Sequence, residues 1–186
     1  HKDDKISKLE IDNNLIAYES AIEGIVLLEN NDVLPLKAKK IALYGAGGKY
    51  TIKGGTGSGE VNERKSVSIY EGLVSSGYNI TTEKYLDDFD KDYEEYLNQR
   101  IKLKNIASLR PNPFPFGRLI TIDDVNESEN DTAIYVVSRQ AGEGGDKRIE
   151  KGDFDLDKIE ISNIKFLTEN YRNTVLVINS GSCMNL

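Results

Sequence analysis

The sequence predicts an α/β fold: a three-layer α/β/α sandwich built on a mostly parallel sheet. Two observations carry that reading. Short, nearly all-apolar runs at Lys40–Gly45, Thr132–Val137 and Thr174–Ile178 alternate with segments of helical period. Strands that alternate with helices give parallel sheets covered on both faces. The first two of these runs also open into glycine-rich loops, at residues 53–60 and 142–145. Open α/β sheets present their ligand loops at the carboxyl ends of strands in this way.

The elements follow in chain order. From Ser7 to about Val26, Ile11, Leu15, Tyr18, Ile22 and Ile25 form an apolar stripe at helical spacing. Ile25–Leu28 and Val33–Leu36 read as two short extended pieces around an Asn/Asp turn. Residues 1–36 thus form a helix and short extended hairpin leading into a sandwich domain at 37–186. After the first strand and its glycine loop, Ser66 is placed to cap a helix with Val67, Tyr70, Leu73 and Val74 inward, stopped by Gly77. Tyr78–Thr82 reads as a strand. Asp87 to about Leu109 reads as a polar helix that buries Phe89, Tyr93, Tyr96, Leu97 and Ile101. The prolines between Arg110 and Gly117 exclude regular structure there. A helix bearing Ile161, Ile164, Leu167 and Tyr171 precedes the last strand.

Composition narrows the function. With 186 residues, 38% hydrophobic and 30% charged, the chain suits one globular domain with a core of its own. A net charge of -7 argues against nucleic acid or an anionic membrane as partner, since both require a basic face. No apolar stretch is long enough to span a bilayer. The single cysteine, Cys183, has no internal partner, which favours a reducing, cytoplasmic setting. His1 is the only histidine, so neither a thiol–imidazole pair nor the usual zinc ligand sets can be built, and no metal or other cofactor is expected. Both ends read as cut, with truncation expected at the C-terminus. An unpaired last strand would then promote self-association.

Glu143 lies between Gly142 and Gly144, just beyond a buried strand. The ordinary fate of a glutamate is a solvated loop acid. Flanking glycines at a strand end, which let a substrate approach closely, make a catalytic carboxylate the competing reading. In the earlier loop Lys53, Gly55, Thr56 and Ser58 are the candidate substrate contacts, although glycine and serine also make plain linkers. Asp146 and Arg148 are further candidates. Their alternative is to pair with each other or to cap the next helix. Gly45-Ala46-Gly47-Gly48 suggests a dinucleotide site, but the fingerprint needs glycine where Tyr50 stands.

In this order, Ala21–Asn30 closing on Leu34-Pro35-Leu36, Ile41–Gly45 with Gly54–Asn62, Val137-Ser138-Arg139 with Gly142-Glu143-Gly144 and Asp146, and Val175–Gly181 resemble the α/β sandwich domain of glycoside hydrolase family 3. The resemblance runs through nearly the whole chain. It implies part of a retaining β-glycosidase, β-glucosidase-like, acting on terminal non-reducing β-linked sugars of a β-glucoside or related oligosaccharide. Glu143 would be the acid/base. The nucleophilic aspartate would lie on a (β/α)₈ barrel domain absent from this chain, so the chain alone is expected to be inactive. Lys147 stands where many relatives have arginine. The alternative to this reading is a nucleotide- or sugar-binding α/β domain without catalysis.

Overall fold

The computed structural model describes residues 5–55, 63–103, 115–142 and 147–186. The chain divides into two compact units, His1–Pro35 and Leu36–Leu186.

In the first unit, helix α1 (Lys8–Glu23) starts from a reciprocal cap: the Ser7 hydroxyl accepts the Glu10 N–H, and Glu10 accepts the Ser7 N–H. That arrangement satisfies donors that a helix start leaves unpaired. The apolar stripe is present on the helix, but Ile11, Leu15, Tyr18 and Ile22 are all more than half exposed. The expected hairpin does not form, because residues 25–36 contain no strand. Instead Asn30 closes the loop from its side chain. Its Oδ1 accepts from the Val33 and Leu34 N–H groups, and its Nδ2 donates to the Leu34 carbonyl. A side-chain amide offers the backbone an alternative to a strand ladder, and here it wins.

The second unit is built on four parallel strands in the order β2-β1-β3-β4. They are β1 (Lys40–Tyr44), β2 (Asn79–Ile80), β3 (Thr132–Arg139) and β4 (Asn173–Ser180). Ile41–Tyr44 of β1 and every residue of β3 are buried. Successive strand residues point to opposite faces, so both faces of this central pair are covered, and the three-layer α/β arrangement holds. The chain steps from β1 outward to β2 and then returns to the other side of β1 for β3. The strand order therefore reverses between β1 and β3, where open α/β sheets form their crevices.

The helices differ from expectation at their edges. Helix α2 (Ile69–Ser75) is capped by Ser68 with Glu71, not by Ser66. Glu71 completes the reciprocal box that Ser66 lacks. Its end is as expected. Gly77 has φ 83°, and the Gly77 and Tyr78 N–H groups reach back to the Val74 and Leu73 carbonyls, the hydrogen-bond pattern of a left-handed helix stop. Helix α3 (Glu83–Leu103) begins a turn earlier than predicted and buries Tyr85, Leu86, Phe89 and Tyr96. The remainder of the proposed 87–109 helix, and Arg110–Phe114, lie outside the described residues. Helix α4 (Ile122–Ser128) was not foreseen, while α5 (Lys158–Asn170) appears where expected.

Strand β2 is only two residues long because a side chain takes over its ladder. The Thr82 hydroxyl accepts the Leu43 N–H at 2.9 Å and donates to the Leu43 carbonyl at 2.7 Å. Helix α4 is tied down by its capping acid. Asp124 caps Thr121 and also takes both terminal nitrogens of Arg118 at 2.7 Å. Burial pushes the Asp124 carboxyl up, but the Arg118 guanidinium and the Thr121 N–H and hydroxyl outweigh it and hold the group below the usual carboxylate range. A carboxylate depressed in the folded state adds stability above its unfolded value, near ~3.9, and loses it as pH falls through the folded value. Arg118→Met is therefore expected to lower stability by about 1–2 kcal/mol near neutral pH. Urea midpoints should show that deficit shrinking toward pH ~3, where the Asp124 carboxylates of the unfolded chains are largely protonated.

Candidate active site

The carboxyl ends of β3 and β4 open into a cleft of about 800 Å³, lined by the Ile52–Gly55 segment, by Arg139 at the end of β3 with Ala141 and Gly142 after it, and by Asn179–Cys183 at and after the end of β4. That volume suits a small-molecule ligand. A second hollow beside the end of β1, bordered by Gly45, Tyr85 and Arg118, has about 40 Å³ and admits little more than water. The described roots of the two glycine loops, Lys53–Gly55 and Gly142, border this cleft.

Glu143 and Asp146 of the acid/base loop, and Thr56 and Ser58 of the earlier loop, lie outside the described residues. Gly142, immediately before Glu143, lines the cleft. Lys53 and Gly55 both border it. Lys53 forms an ion pair with Glu63. Gly55 lies against β3's extension: a Cβ on it would sit 3.1 Å from the Ala141 carbonyl. The two loops therefore touch at their roots.

The Arg148 guanidinium makes a surface pair with Glu150 at 3.2 Å, and its backbone N–H donates to Asp153. The described cation of this segment that faces the cleft is Lys147. Its ammonium donates to the Ser180 hydroxyl at 2.7 Å, with longer contacts to the Ser182 and Cys183 carbonyls. Burial pulls the Lys147 amine down, partly countered by Asp153 and reinforced by Arg139.

Beneath the cleft lies a buried ion pair. Arg139, the last residue of β3, is 4% exposed and grips Glu160 at 2.7 and 2.5 Å. Its remaining N–H groups go to the carbonyls of Ser138, Asp153 and Asp155. All five guanidinium donors thereby have partners. Glu160 in turn caps α5 by accepting the Asp157 N–H at 2.8 Å. Phe116 lies under the Arg139 guanidinium with its ring centre 5.2 Å away, a geometry favourable to a cation. The strand end, the start of α5 and the 153–155 turn are held as one rigid base below Gly142.

The Gly45–Gly48 loop does not form a phosphate cradle. All four residues are buried, and the Gly48 carbonyl is taken by the Tyr70 N–H. The backbone that a dinucleotide would need to approach is packed into the domain. Among the described residues no group of three metal-capable side chains converges. No described helix is long and apolar enough to cross a membrane.

The fold is a parallel α/β sandwich with a ligand-sized cleft at its carboxyl edge, bordered by the described roots of the two glycine loops. The family described as Glycosyl hydrolase family 3 C-terminal domain matches residues 25–186, and the chain belongs to that family. It is 31% identical to beta-glucosidase A of Butyrivibrio fibrisolvens over 89% of this chain and 22% of that protein. It is 27% identical to a beta-glucosidase of Ruminococcus albus, over 91% of this chain and 18% of the relative. Beta-glucosidase 3B from Thermotoga neapolitana, solved in complex with alpha-D-glucose, superposes with a TM-score of 0.73 at 34% identity, covering 95% of this chain and 25% of that one. The chain thus spans a quarter or less of the length of these relatives.

Asn179 and Lys147 line the cleft, and Gln140 reaches its Gly54 carbonyl. The sequence does not single these residues out, because a polar residue at a strand end carries no signal of its long-range partners, and adjacent cations such as Lys147 and Arg148 differ only in the neighbours the fold brings to them.

Proposed function

We propose that this chain is the acid/base half of a retaining β-glycosidase, β-glucosidase-like, that removes terminal non-reducing β-linked sugars. One observation supports the reading above others. The residue preceding Glu143 lines a sugar-sized cleft at the carboxyl edge of β3, in a domain whose relatives are beta-glucosidases. In the first step Glu143, protonated, gives its proton to the departing glycosidic oxygen. A carboxylate from a (β/α)₈ barrel elsewhere in the same polypeptide attacks the sugar. In the second step Glu143, now ionised, takes a proton from water, which hydrolyses the covalent intermediate. The chemistry needs the two carboxyl groups about 5–5.5 Å apart and an acid whose pKa is raised near the working pH.

The rest of the cleft fits that task. Lys53 and the Gly55 backbone border the side on which sugar hydroxyls would be held, and Thr56 and Ser58 are proposed as further substrate contacts. Asp146 belongs to the same acid/base loop. Arg148 is better read as a surface residue, since Glu150 occupies its guanidinium.

The test uses the complete polypeptide. Glu143→Ala is expected to slow hydrolysis of an alkyl β-glucoside by roughly 10²–10⁴-fold. A 2,4-dinitrophenyl glucoside needs no proton to leave, so its first step should survive. Added azide should restore turnover by attacking the intermediate without base assistance and yield the glucosyl azide. Unchanged hydrolysis of the alkyl glucoside by the alanine variant would remove Glu143 from the mechanism.

A further inference from the structure

The root of the glycine loop is held by two side-chain amides that reach it from neighbouring strand ends. Asn179, in β4, exchanges both hydrogen bonds of a peptide with Ile52. The Ile52 N–H donates to Asn179 Oδ1 at 2.7 Å, and Asn179 Nδ2 donates to the Ile52 carbonyl at 2.8 Å. The Asn179 carbonyl oxygen also accepts the Ser138 hydroxyl at 3.2 Å, which fixes the amide's orientation from β3. Two residues along, the Gly54 carbonyl accepts a longer bond, 3.4 Å, from Gln140 Nε2. Gln140 Oε1 accepts the Tyr96 hydroxyl of α3 at 3.0 Å. Lys53 lies between the two clamped peptides.

This is how a sheet positions a segment that cannot join it as a strand. An amide side chain has one donor and one acceptor side by side, as a peptide does, so Asn179 extends the ladder sideways by one residue. The roots of the two glycine loops also approach each other where Gly55 lies against the Ala141 carbonyl. Gln140 is three residues before Glu143. A shift of the Ile52–Gly54 segment would therefore be felt both at the sugar-facing wall and at the start of the acid/base loop.

We propose that Asn179 and Gln140 are positioning residues, a pair of amides that locks the Ile52–Gly54 backbone as a wall of the cleft and ties it to Gln140, three residues before the proposed acid. The inference rests on the glycosidase reading. Neither amide touches the reacting atoms; each acts through the backbone it holds.

The experiment takes the complete polypeptide with Asn179→Leu, Asn179→Asp and Gln140→Leu, and reads kinetics on methyl β-glucoside and 2,4-dinitrophenyl β-glucoside alongside amide hydrogen exchange. Misplacing the acid slows departure of a poor leaving group more than a good one. Gln140→Leu is expected to lose roughly tenfold or more on the methyl glucoside and less than about threefold on the dinitrophenyl glucoside. A loss of folded protein would lower both equally. Asn179→Leu is expected to raise KM on both substrates and to speed exchange of the Ile52 amide.

Asn179→Asp gives a pH signature. Its ionised carboxylate faces the Ile52 carbonyl without a donor, while its protonated form restores one. Its activity relative to the native protein should therefore rise as pH falls. An active native enzyme whose Asn179→Leu and Gln140→Leu variants match it in kinetics and in Ile52 exchange would overturn the clamp. A native polypeptide inactive on both glucosides would instead overturn the glycosidase reading and, with it, the clamp's kinetic role.

Discussion

Arg139→Leu is expected to lower the stability of the domain by about 3–5 kcal/mol, because it leaves the Glu160 carboxyl group buried without its partner. Both side chains are only 4% exposed, so water cannot stand in for the guanidinium. The Asp153 carbonyl would lose the Arg139 donor in the same change, while the Asp155 carbonyl would keep the Gly152 N–H. The double variant Arg139→Leu/Glu160→Leu is the informative control. It removes both charges, and its deficit should be smaller than that of the single change, since an apolar pair of similar size avoids the unpaired charge. Urea denaturation of the three proteins measures both outcomes. A single variant within about 1 kcal/mol of native would show that the ion pair does not hold the base of the cleft.

Gly45→Ala is the second large effect. Gly45 directly follows β1 with φ 83°, and a Cβ there would lie 2.3 Å from the Val136 carbonyl oxygen and 2.8 Å from the Val136 nitrogen. Both obstacles are backbone of the buried central strand β3 and cannot swing aside. The left-handed conformation alone costs an alanine about 1–2 kcal/mol. The steric overlap should take the total to about 4 kcal/mol or more, or prevent folding. Gly77→Ala separates the two causes. It has the same φ of 83° but open space around the missing Cβ, so its cost should stay near the conformational term of about 1–2 kcal/mol. Thermal or urea unfolding of the pair checks this, and equal losses at the two positions would refute the steric account.

The strands were legible because they are apolar runs bounded by turn residues, and burial on both faces requires nothing subtler. Their ends were not legible. Strands β3 and β4 each run further at the carboxyl end than the apolar pattern, through Ser138–Arg139 and Asn179–Ser180. These residues are polar, and what lets them finish a strand is distant in sequence: Glu160 for Arg139, Ile52 for Asn179. Helix α4 was missed for a different reason. Seven residues are too few to reveal a period, and its sole cue is Thr121 followed by Asp124 as a reciprocal cap. In α1 the period was readable but not its burial, since a stripe says which side is apolar and not whether anything covers it. In the site, the position of the cleft followed from strand–loop order. The choice between Lys147 and Arg148 did not, because adjacent cations in a loop differ only in which neighbours the fold brings to them.

The acids that cap α4 and α5 each serve two masters. Asp124 and Glu160 close the first turn of their helices while holding Arg118 and Arg139. The first turn of each helix is thereby coupled to an arginine outside it, Arg118 just before α4 and Arg139 at the end of β3. Local and global order are interlocked at these two points, which favours loss of the domain in one sharp, all-or-none transition over gradual fraying from the helix ends.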